Sequence, residues 1–587
     1  MYYFDFLKFK DDMESAKTFD NQYDYEKYCY DFLVFLSAVQ GLANAQRPQL
    51  FIRFLAKPDS FWLNRFLGKD GFLSNETIDE IDSFEGILEK FSDYIKGFVL
   101  WDEKVPATAN VAATICGVES LIPVRFLDQK NSFYRQIKKT RIMVRKSLFN
   151  VFTGKGIIFG TSIISTGSKK CDCYLWAKER YLDSGYCNDS LMAYMLDGMM
   201  WGDDKSCYPD LDNTLVANHD YYIARKAFFF DLSPWDDETP NDDKEQQIGT
   251  DYRTFQAILE SQYNQNQGKK ITTIGGFTPW QVKYVSETVP HCHHGGVETE
   301  WRHAELLSAY NAILDADAPS LCGMSNASVY MHHPLKEKYT QNKDEYDIKL
   351  QKKTYLMYYM GDYDSAAWLS REIPEIWNDP DRGKLPLAWP FNSNLSDRAP
   401  HVFDYVYSTK TNNDFFVAGD SGAGYLNPLY LLEPRKHSDL PSGMDLWIRY
   451  NQAYYEKFDL NITGFIINGH LPINEEVQKA YAQFSPGGVG LQNDRSKVDM
   501  IKYDTVFYPQ SADIGVQNNS IQGAFDIISS ATADKKNKPQ FHIFRSVLCT
   551  PTFIYELTEK LQKTYPEREF CVLPPQLFFK LLKQNLN

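Results

Sequence analysis

The chain contains 587 residues, of which 43% are hydrophobic and 24% are charged, as in ordinary globular proteins and unlike disordered or fibrous ones. At roughly 150 residues per domain, this length predicts more than one core, and we expect two large domains. The formal net charge of −15 gives a surface that repels phosphate backbones, which excludes nucleic acid as an expected partner.

The N-terminal segment and the cysteines indicate where the protein works. Residues 1–12 lack a basic stretch followed by an apolar one, and no part of the sequence reaches the roughly 18 consecutive apolar residues of a membrane span. We therefore expect a cytoplasmic protein without a membrane partner. The ten cysteines show no framework spacing, which predicts free thiols rather than disulfides.

The first part of the chain alternates apolar strands with helical segments. Residues 31–55 predict a helix, a proline-containing loop and a buried strand, and residues 97–101, 111–118 and 121–124 predict a strand, a helix of small residues and another strand. These units predict an N-terminal domain of divergent α/β repeats. Residues 225–243 predict a strand that opens into an acidic loop, which we interpret as a solvated connection.

The pattern changes after a polar stretch that ends near residue 268, where we place a domain boundary. The predicted domains are an α/β repeat domain at 1–267 and a β/α barrel at 268–587. Short apolar runs alternate with helical segments in the second domain, and the candidate strands are 271–276, 327–331, 355–360, 385–389, 415–419, 464–468, 505–508 and 541–545. Many of them run into a polar or acidic residue, which favours a catalytic rim at the strand ends of a barrel. An open doubly wound sheet would give a similar pattern.

Two carboxylates follow the predicted strand 355–360 directly. Asp362 and Asp364 lie two residues apart, so on a continuing strand they would share one face and project into one cleft. Such a pair suits a general base and a partner that orients it, or it suits a metal ion. The alternative is a loop-capping role.

A second acidic segment precedes a predicted helix that begins near residue 304. Glu300 lies beside Trp301, and an apolar ring against a carboxyl group raises its pKa, as a general acid near neutral pH requires. Glu298 is close by and could instead serve the helix N-terminus. Three histidines at 291, 293 and 294 precede these residues, but no zinc-type spacing accompanies them, so we expect loop or substrate contacts and no metal.

A glycine-rich segment follows the predicted strand 415–419. Asp420 comes first, and Gly422 and Gly424 allow positive φ or a close approach to a ligand. Tyr425 could stack on a sugar ring. The segment is not a dinucleotide-binding fingerprint, because the third glycine is absent and Pro428 follows early.

This segment resembles the motif of the GxGYxYP family, which is regarded as a family of glycoside hydrolases. The match comprises Gly422, Gly424, Tyr425 and Pro428, while Asn427 stands where the motif has its second tyrosine. Further similarity lies at 105–112, 230–235, 295–301, 361–364 and 389–395. The resemblance implies an N-terminal domain of divergent α/β repeats, a C-terminal seven-stranded, TIM-like β/α barrel and a cleft between them. It also implies a catalytic set of one glutamate and an Asp-x-Asp pair, which fall here on Glu300, Asp362 and Asp364.

The resulting prediction is hydrolysis of a glycosidic bond in an oligosaccharide or polysaccharide, without a cofactor. Glu300 is the expected acid, and Asp362 or Asp364 is expected to activate water. The predicted sugar contacts are Trp301, Trp389, Asn392, Asp420 and Tyr425. Two alternatives stay open at this point: a glycosyltransferase whose Asp-x-Asp pair holds a metal ion, and a carbohydrate-binding protein without catalysis.

Overall fold

A computed structural model describes residues 1–15, 19–195, 218–278, 283–287, 291–317, 325–342, 349–492, 500–515, 520–533 and 538–587. The chain forms two compact units. The first unit comprises Met1–Pro334 with Arg398–Pro400, and the second unit comprises Leu335–Asp397 with His401–Asn587.

Three parallel sheets organise the first unit, with strand orders β2-β1-β3, β5-β4-β6 and β10-β9-β7-β8. Their strands are β1 (Tyr2–Asp5), β2 (Leu50–Arg53), β3 (Asp79–Ile81), β4 (Gly97–Trp101), β5 (Leu121–Arg125), β6 (Val144–Ser147), β7 (Leu191–Tyr194), β8 (Phe228–Phe230), β9 (Thr272–Gly276) and β10 (Ala312–Asp315). The helices are α1 (Phe6–Ser15), α2 (Gln22–Asn44), α3 (Ala56–Leu67), α4 (Phe84–Phe91), α5 (Ala107–Glu119), α6 (Phe133–Ile137), α7 (Lys169–Ala177), α8 (His219–Ala224), α9 (Thr250–Gln265), α10 (Gly296–Ser308) and α11 (Ala327–Tyr330).

The α/β units predicted in this region are present. The helix α2 and strand β2 match the pattern at 31–55, and β4, α5 and β5 form the second predicted unit. The small residues of α5 allow close packing, because a side chain at Gly117 would lie 2.9 Å from the backbone oxygen of Ile223 in α8.

Two sequence-based expectations concern the last part of the first unit. The boundary predicted near residue 268 lies inside this unit, because β9 and β10 pair alongside β7 and β8 in one sheet. The strand predicted at 327–331 is wrong, since this run forms the buried helix α11. A short apolar run fits a buried helix turn as well as a strand, and periodicity does not separate the two.

The second unit contains two further sheets, of strand order β13-β12-β11-β20-β19 and β14-β15-β16-β18-β17, and β21 also pairs with β11. All of these pairs are parallel except β17 with β18. The strands are β11 (Thr354–Tyr359), β12 (Leu387–Trp389), β13 (Asp414–Phe416), β14 (Ala418–Asp420), β15 (Ile462–Phe465), β16 (Gly488–Leu491), β17 (Ile501–Lys502), β18 (Thr505–Pro509), β19 (Ala512–Ile514), β20 (Gln540–Ser546) and β21 (Phe570–Val572). The helices are α12 (Ala366–Ile376), α13 (Pro400–Thr409), α14 (Met444–Phe458), α15 (Glu475–Phe484), α16 (Ile521–Ala531), α17 (Pro551–Thr564) and α18 (Pro575–Leu586).

The fold is therefore a mixed α/β fold with parallel sheets, as predicted at that level. Among the described helices, none is both long and apolar enough to cross a bilayer. The described cysteines are all free thiols, in agreement with their spacing. In the second unit, the carboxyl ends of β11 and β14 carry the acidic residues that the sequence singled out, so the site is built there.

Candidate active site

Asp362 and Asp364 follow the carboxyl end of β11, but not on a continuing strand. The strand ends at Tyr359, and Asp362 adopts a left-handed conformation with φ of 66°. Alternation along a strand therefore does not explain their placement. The loop still brings their charges near each other, because the carboxylate of Asp362 is one of the charges that raise the pKa of Asp364.

Arg545 holds the Asp362 side chain. It lies on β20, directly opposite Tyr359 in the parallel pairing with β11, and its guanidinium forms a close ion pair with the Asp362 carboxylate. A second branch of the guanidinium donates to Oδ2 of Asp513 at 3.0 Å. The guanidinium also lies 5.4 Å from the centre of the Phe465 ring. Arg545 is thus fixed on three sides, and it presents a permanent positive charge to the site.

The environment of Asp364 strongly perturbs its carboxyl group. Burial raises its pKa well above the usual value for aspartate, and the charges of Asp420 and Asp362 raise it further. Its own backbone hydrogen bond and the charge of Arg545 act in the opposite direction. Part of the side chain stays accessible to solvent, so the carboxyl group can exchange a proton with a ligand or with water. We call Asp362, Asp364 and Asp420 the acidic strand-end cluster.

Asp420 is buried at the end of β14, and Asn392 fixes the backbone there. The side-chain oxygen of Asn392 accepts a hydrogen bond from the Asp420 backbone N–H at 2.8 Å. The preceding Gly419 is required, since a side chain there would lie 1.9 Å from the same oxygen. Asn392 is fully buried, so its observed task is to position Asp420. Its predicted contact with sugar stays a prediction.

The glycine-rich segment forms a packed loop behind the acidic strand-end cluster. Gly422 and Gly424 both have φ of +119°, which only glycine adopts readily. The neighbouring Ala423 backbone N–H donates to the side-chain oxygen of Asn451 at 2.8 Å. Tyr425 is only 2% exposed, so it is part of this packing in the structure. Asn427 accepts from the Leu429 backbone N–H at 3.2 Å, which caps a short helical turn and explains an asparagine at this position of the motif.

We expect Gly422→Ala to destabilise the second unit by more than about 1 kcal/mol, because φ is unfavourable for alanine. The added carbon would also lie 2.3 Å from the side-chain oxygen of Asn451. Urea unfolding checks the value. Gly156→Ala is the control, since Gly156 also has positive φ but has open space around it. Equal effects of the two changes would show that the contact with Asn451 contributes nothing.

Trp389 lies in the core of the second unit. Its side chain is completely buried, and its indole N–H donates to Oδ1 of Asp414 at 2.9 Å. Its ring packs 5.1 Å from that of Trp377. Trp389 lies within a strand whose residues are all buried, so in this structure its ring contributes to packing. Its predicted contact with sugar stays a prediction.

Glu300 and Trp301 lie on α10 in the first unit, and both side chains are partly exposed. The neighbouring Glu298 lies in the first turn and faces Nδ1 of His294 at 3.4 Å. Residues two apart on a helix point about 200° away from each other, so Glu298 and Glu300 serve different surfaces. Glu298 contacts His294, and the catalytic role of Glu300 stays a prediction.

The geometry defines a class: a mixed α/β protein with parallel sheets that carries a cluster of carboxylates and an arginine at strand ends. Residues 352–583 match the family model described as "GxGYxYP putative glycoside hydrolase C-terminal domain", and residues 95–130 match the model described as "GxGYxYP_N second domain". These two matches support membership of the GxGYxYP family.

A solved structure shares the fold. It is described as "Crystal structure of a putative hydrolase from Bacteroides thetaiotaomicron VPI-5482 at 1.25 A resolution". The similarity covers 100% of this chain and 94% of that chain, with a TM-score of 0.67 and 17% sequence identity. No curated protein matches the sequence significantly.

Proposed function

We propose that the protein is a glycoside hydrolase that cleaves an oligosaccharide or polysaccharide by carboxylate acid–base catalysis. The names given to its family and to the protein in the similar solved structure both support hydrolase chemistry. The observation that carries the proposal is the raised pKa of Asp364 within the acidic strand-end cluster. A carboxyl group that titrates closer to neutral pH than a free aspartate is suited to general acid–base work.

The two aspartates of the pair have different surroundings, which supports different roles. Asp364 is the proposed base, because its raised pKa favours taking a proton from water. Asp362 is ion-paired with Arg545 and is proposed to orient that water. Glu300 is the proposed general acid, as the family resemblance implies. Trp301 and Tyr425 remain proposed sugar contacts.

We further propose that the two sheets of the second unit form one closed, TIM-like barrel of seven strands. The chain is nearly continuous between the two sheets, since only Val417 separates β13 from β14. At this junction the backbone N–H of Val417 donates to the carbonyl of Trp389 in the first sheet, and that of Ser421 donates to the carbonyl of Phe465 in the second sheet. At the other junction the backbone N–H of Gln510 donates to the carbonyl of Leu491 in the second sheet, and that of Ser511 donates to the carbonyl of Ile543 in the first sheet. The seven strands would be 354–359, 387–389, 414–420, 462–465, 488–491, 505–514 and 540–546. Their carboxyl ends would then surround the acidic strand-end cluster.

The transferase alternative requires the Asp-x-Asp pair to hold a divalent cation. Here Arg545 already provides a positive charge to Asp362, so this carboxylate has a partner within the protein. The arrangement therefore favours hydrolysis over a metal-bound nucleotide sugar. A binding protein without catalysis would not require a perturbed carboxyl group, although it would retain the same aromatic residues.

The proposed function is tested with aryl glycosides and oligosaccharides of varied sugar and linkage. Release of free sugar that Asp364→Asn abolishes is the expected result. Transfer from a nucleotide sugar to an acceptor, without hydrolysis, would favour the glycosyltransferase. Binding of an oligosaccharide without turnover would favour the non-catalytic alternative.

The electrostatics of Asp364 predict opposite shifts of the pH–rate profile in two variants. Asp420→Asn removes a negative charge that raises the pKa of Asp364, so the acidic limb of kcat/KM should move to lower pH. Arg545→Met removes a positive charge that lowers the same pKa, so the limb should move to higher pH. Asp513→Asn is the control, because it changes the more exposed partner of Arg545. It should leave the pH of the acidic limb of kcat/KM nearly unchanged. Shifts in the same direction would reject Asp364 as the titrating base.

A further inference from the structure

A second cluster of polar side chains lies in the first unit, apart from the residues used above. It consists of Asp237, His293 and His294, and one ligand atom from each of them lies within 4.8 Å of the other two. The Nε2 atom of His294 is 2.9 Å from Oδ1 of Asp237, and the Nε2 atom of His293 is 3.5 Å from Oδ2. We call these three residues the histidine–aspartate cluster.

The opposite nitrogen of each imidazole also faces a carboxylate. Nδ1 of His293 lies 3.4 Å from Oε2 of Glu238, and Nδ1 of His294 lies 3.4 Å from Oε2 of Glu298. Metal-binding histidines commonly direct their second ring nitrogen at a carboxylate, which fixes the tautomer and makes the ligand nitrogen more basic. Both histidines of this cluster have that arrangement.

The contact between His294 and Asp237 is the one that a metal ion would replace. The Nε2 atom of His294 lies 2.9 and 3.1 Å from the two oxygens of Asp237, so without a metal it donates a hydrogen bond to this carboxylate. A divalent cation would take the place of that hydrogen between the ring nitrogen and the carboxylate. The carboxylates of Asp237, Glu238 and Glu298 surround the two imidazoles, and their negative charge favours a divalent cation.

The rest of the surroundings hold the ligands in place. The ring of His294 stacks on Trp235 with centroids 3.4 Å apart and an angle of 8° between the planes. The backbone N–H of His293 donates to Oε2 of the buried Glu238 at 2.8 Å, which fixes the loop beside the carboxylate. These contacts position the side chain of His294 and the backbone of His293 within the cluster.

We propose that Asp237, His293 and His294 bind a divalent transition metal, with Zn²⁺ as the preferred ion. Two imidazole nitrogens and one carboxylate match the donor types of zinc sites that keep an open position. Ligands about 2.1 Å from a tetrahedral ion lie about 3.4 Å from each other. The distances from Oδ2 of Asp237 to Nε2 of His294 and to Nε2 of His293 are close to this value, at 3.1 and 3.5 Å. About half of the side-chain surface of His293 and of Asp237 is exposed, so a water molecule or a ligand can reach the fourth position.

The proposal differs from the expectation from sequence that these histidines bind no metal. The missing signal was Asp237, which lies 56 residues before His293 and joins the cluster only through the fold. The site does not depend on the proposed hydrolase activity. The test below measures metal binding and not turnover. A negative result for the metal site would therefore not contradict the proposed hydrolase activity, and the reverse also holds.

The test is calorimetric titration of Zn²⁺ into the full-length, untagged protein after removal of metals with a chelator. One Zn²⁺ per chain should bind, and Co²⁺ at the same site should give visible absorption bands. His293→Ala combined with His294→Phe should weaken Zn²⁺ binding by more than about 100-fold, and the phenylalanine keeps a ring stacked on Trp235. Glu298→Gln should weaken it by about 10-fold, because it removes only the partner of Nδ1.

His291→Ala is the matched control, since His291 belongs to the same loop but its ring lies 3.2 Å from the backbone oxygen of Thr239 rather than in the cluster. It should leave Zn²⁺ affinity unchanged. Circular dichroism and thermal unfolding without metal establish that each variant is folded. Absence of Zn²⁺ binding, or affinity that the double variant retains, would overturn the proposal.

Discussion

Replacing Asp364 with asparagine should lower kcat by about 100-fold or more on any glycoside that the protein hydrolyses, the usual size of a lost acid–base group. The pKa of the Asp364 carboxyl group is raised well above the usual value, first by burial and then by the charges of Asp420 and Asp362. An asparagine of the same shape cannot take up a proton. The loss should therefore appear in kcat and in kcat/KM together.

The stability of the same variant separates catalysis from folding. A carboxylate crowded by two others costs free energy when it is charged, so its removal should leave the melting temperature unchanged or slightly higher. Asp526→Asn, at an exposed position on α16, is the matched control and should keep both activity and stability. Wild-type turnover by Asp364→Asn would remove Asp364 from the catalytic set.

Strand patterns along the second unit were predictable from the sequence where apolar residues are continuous. The runs at 355–360, 505–508 and 541–545 are strands β11, β18 and β20. The strand β16 was missed, because its Gly488 and Gly490 interrupt the apolar run. Both glycines serve close packing, since a side chain at Gly490 would lie 1.8 Å from the backbone oxygen of Gly464. Such proximity depends on the neighbouring strand and leaves no periodic signal.

Of the side chains that form the candidate site, the sequence predicted the acidic residues but not the arginine. Asp362, Asp364 and Asp420 follow apolar runs, and strand ends are where such residues matter. Arg545 was missed, because an arginine at the end of a predicted strand becomes a site residue only when β20 pairs with β11. The sequence also did not show that Trp389 is buried, since an aromatic residue at a strand end packs inward as readily as it faces a ligand.

The acidic stretch at 225–243 was interpreted as a solvated connection, but two of its aspartates, Asp231 and Asp242, enter a buried network. Asp231 and Asp242 contact Lys283 at 2.6 and 3.1 Å, and Lys170 contacts Asp242 at 3.1 Å and Asp251 at 2.6 Å. All of these side chains are at most 9% exposed. The acidic composition of the stretch predicts exposure to solvent. It does not show that Lys170 and Lys283, which are distant in sequence, contact its buried aspartates.

We expect Lys170→Met to destabilise the first unit by about 3–5 kcal/mol at pH 7, because it leaves buried carboxylates without their cation. Burial alone would lower the pKa of Lys170, but Asp242 and Asp251 raise it well above its usual value. Hydrogen exchange of peptides from the first unit, measured by mass spectrometry, reports this loss separately from the second unit. Lys178→Met is the control, since Lys178 pairs with Asp183 at the surface and should contribute less than about 1 kcal/mol.

The pH dependence of this effect follows from Asp242. Burial acts to raise its pKa, but Lys170 and Lys283 lower it from 3.8 to about 2. In the wild type, the contribution of Asp242 to stability is therefore complete above about pH 4 and is lost as the pH falls toward 2. In Lys170→Met, the carboxylates that lose this cation have higher pKa values when folded, so acidification protonates them and relieves the buried charge. The difference in unfolding free energy between wild type and variant should be largest at pH 7 and should shrink on titration toward pH 4. A difference that is constant with pH would mean that Lys170 stabilises the unit through its packing rather than through its charge.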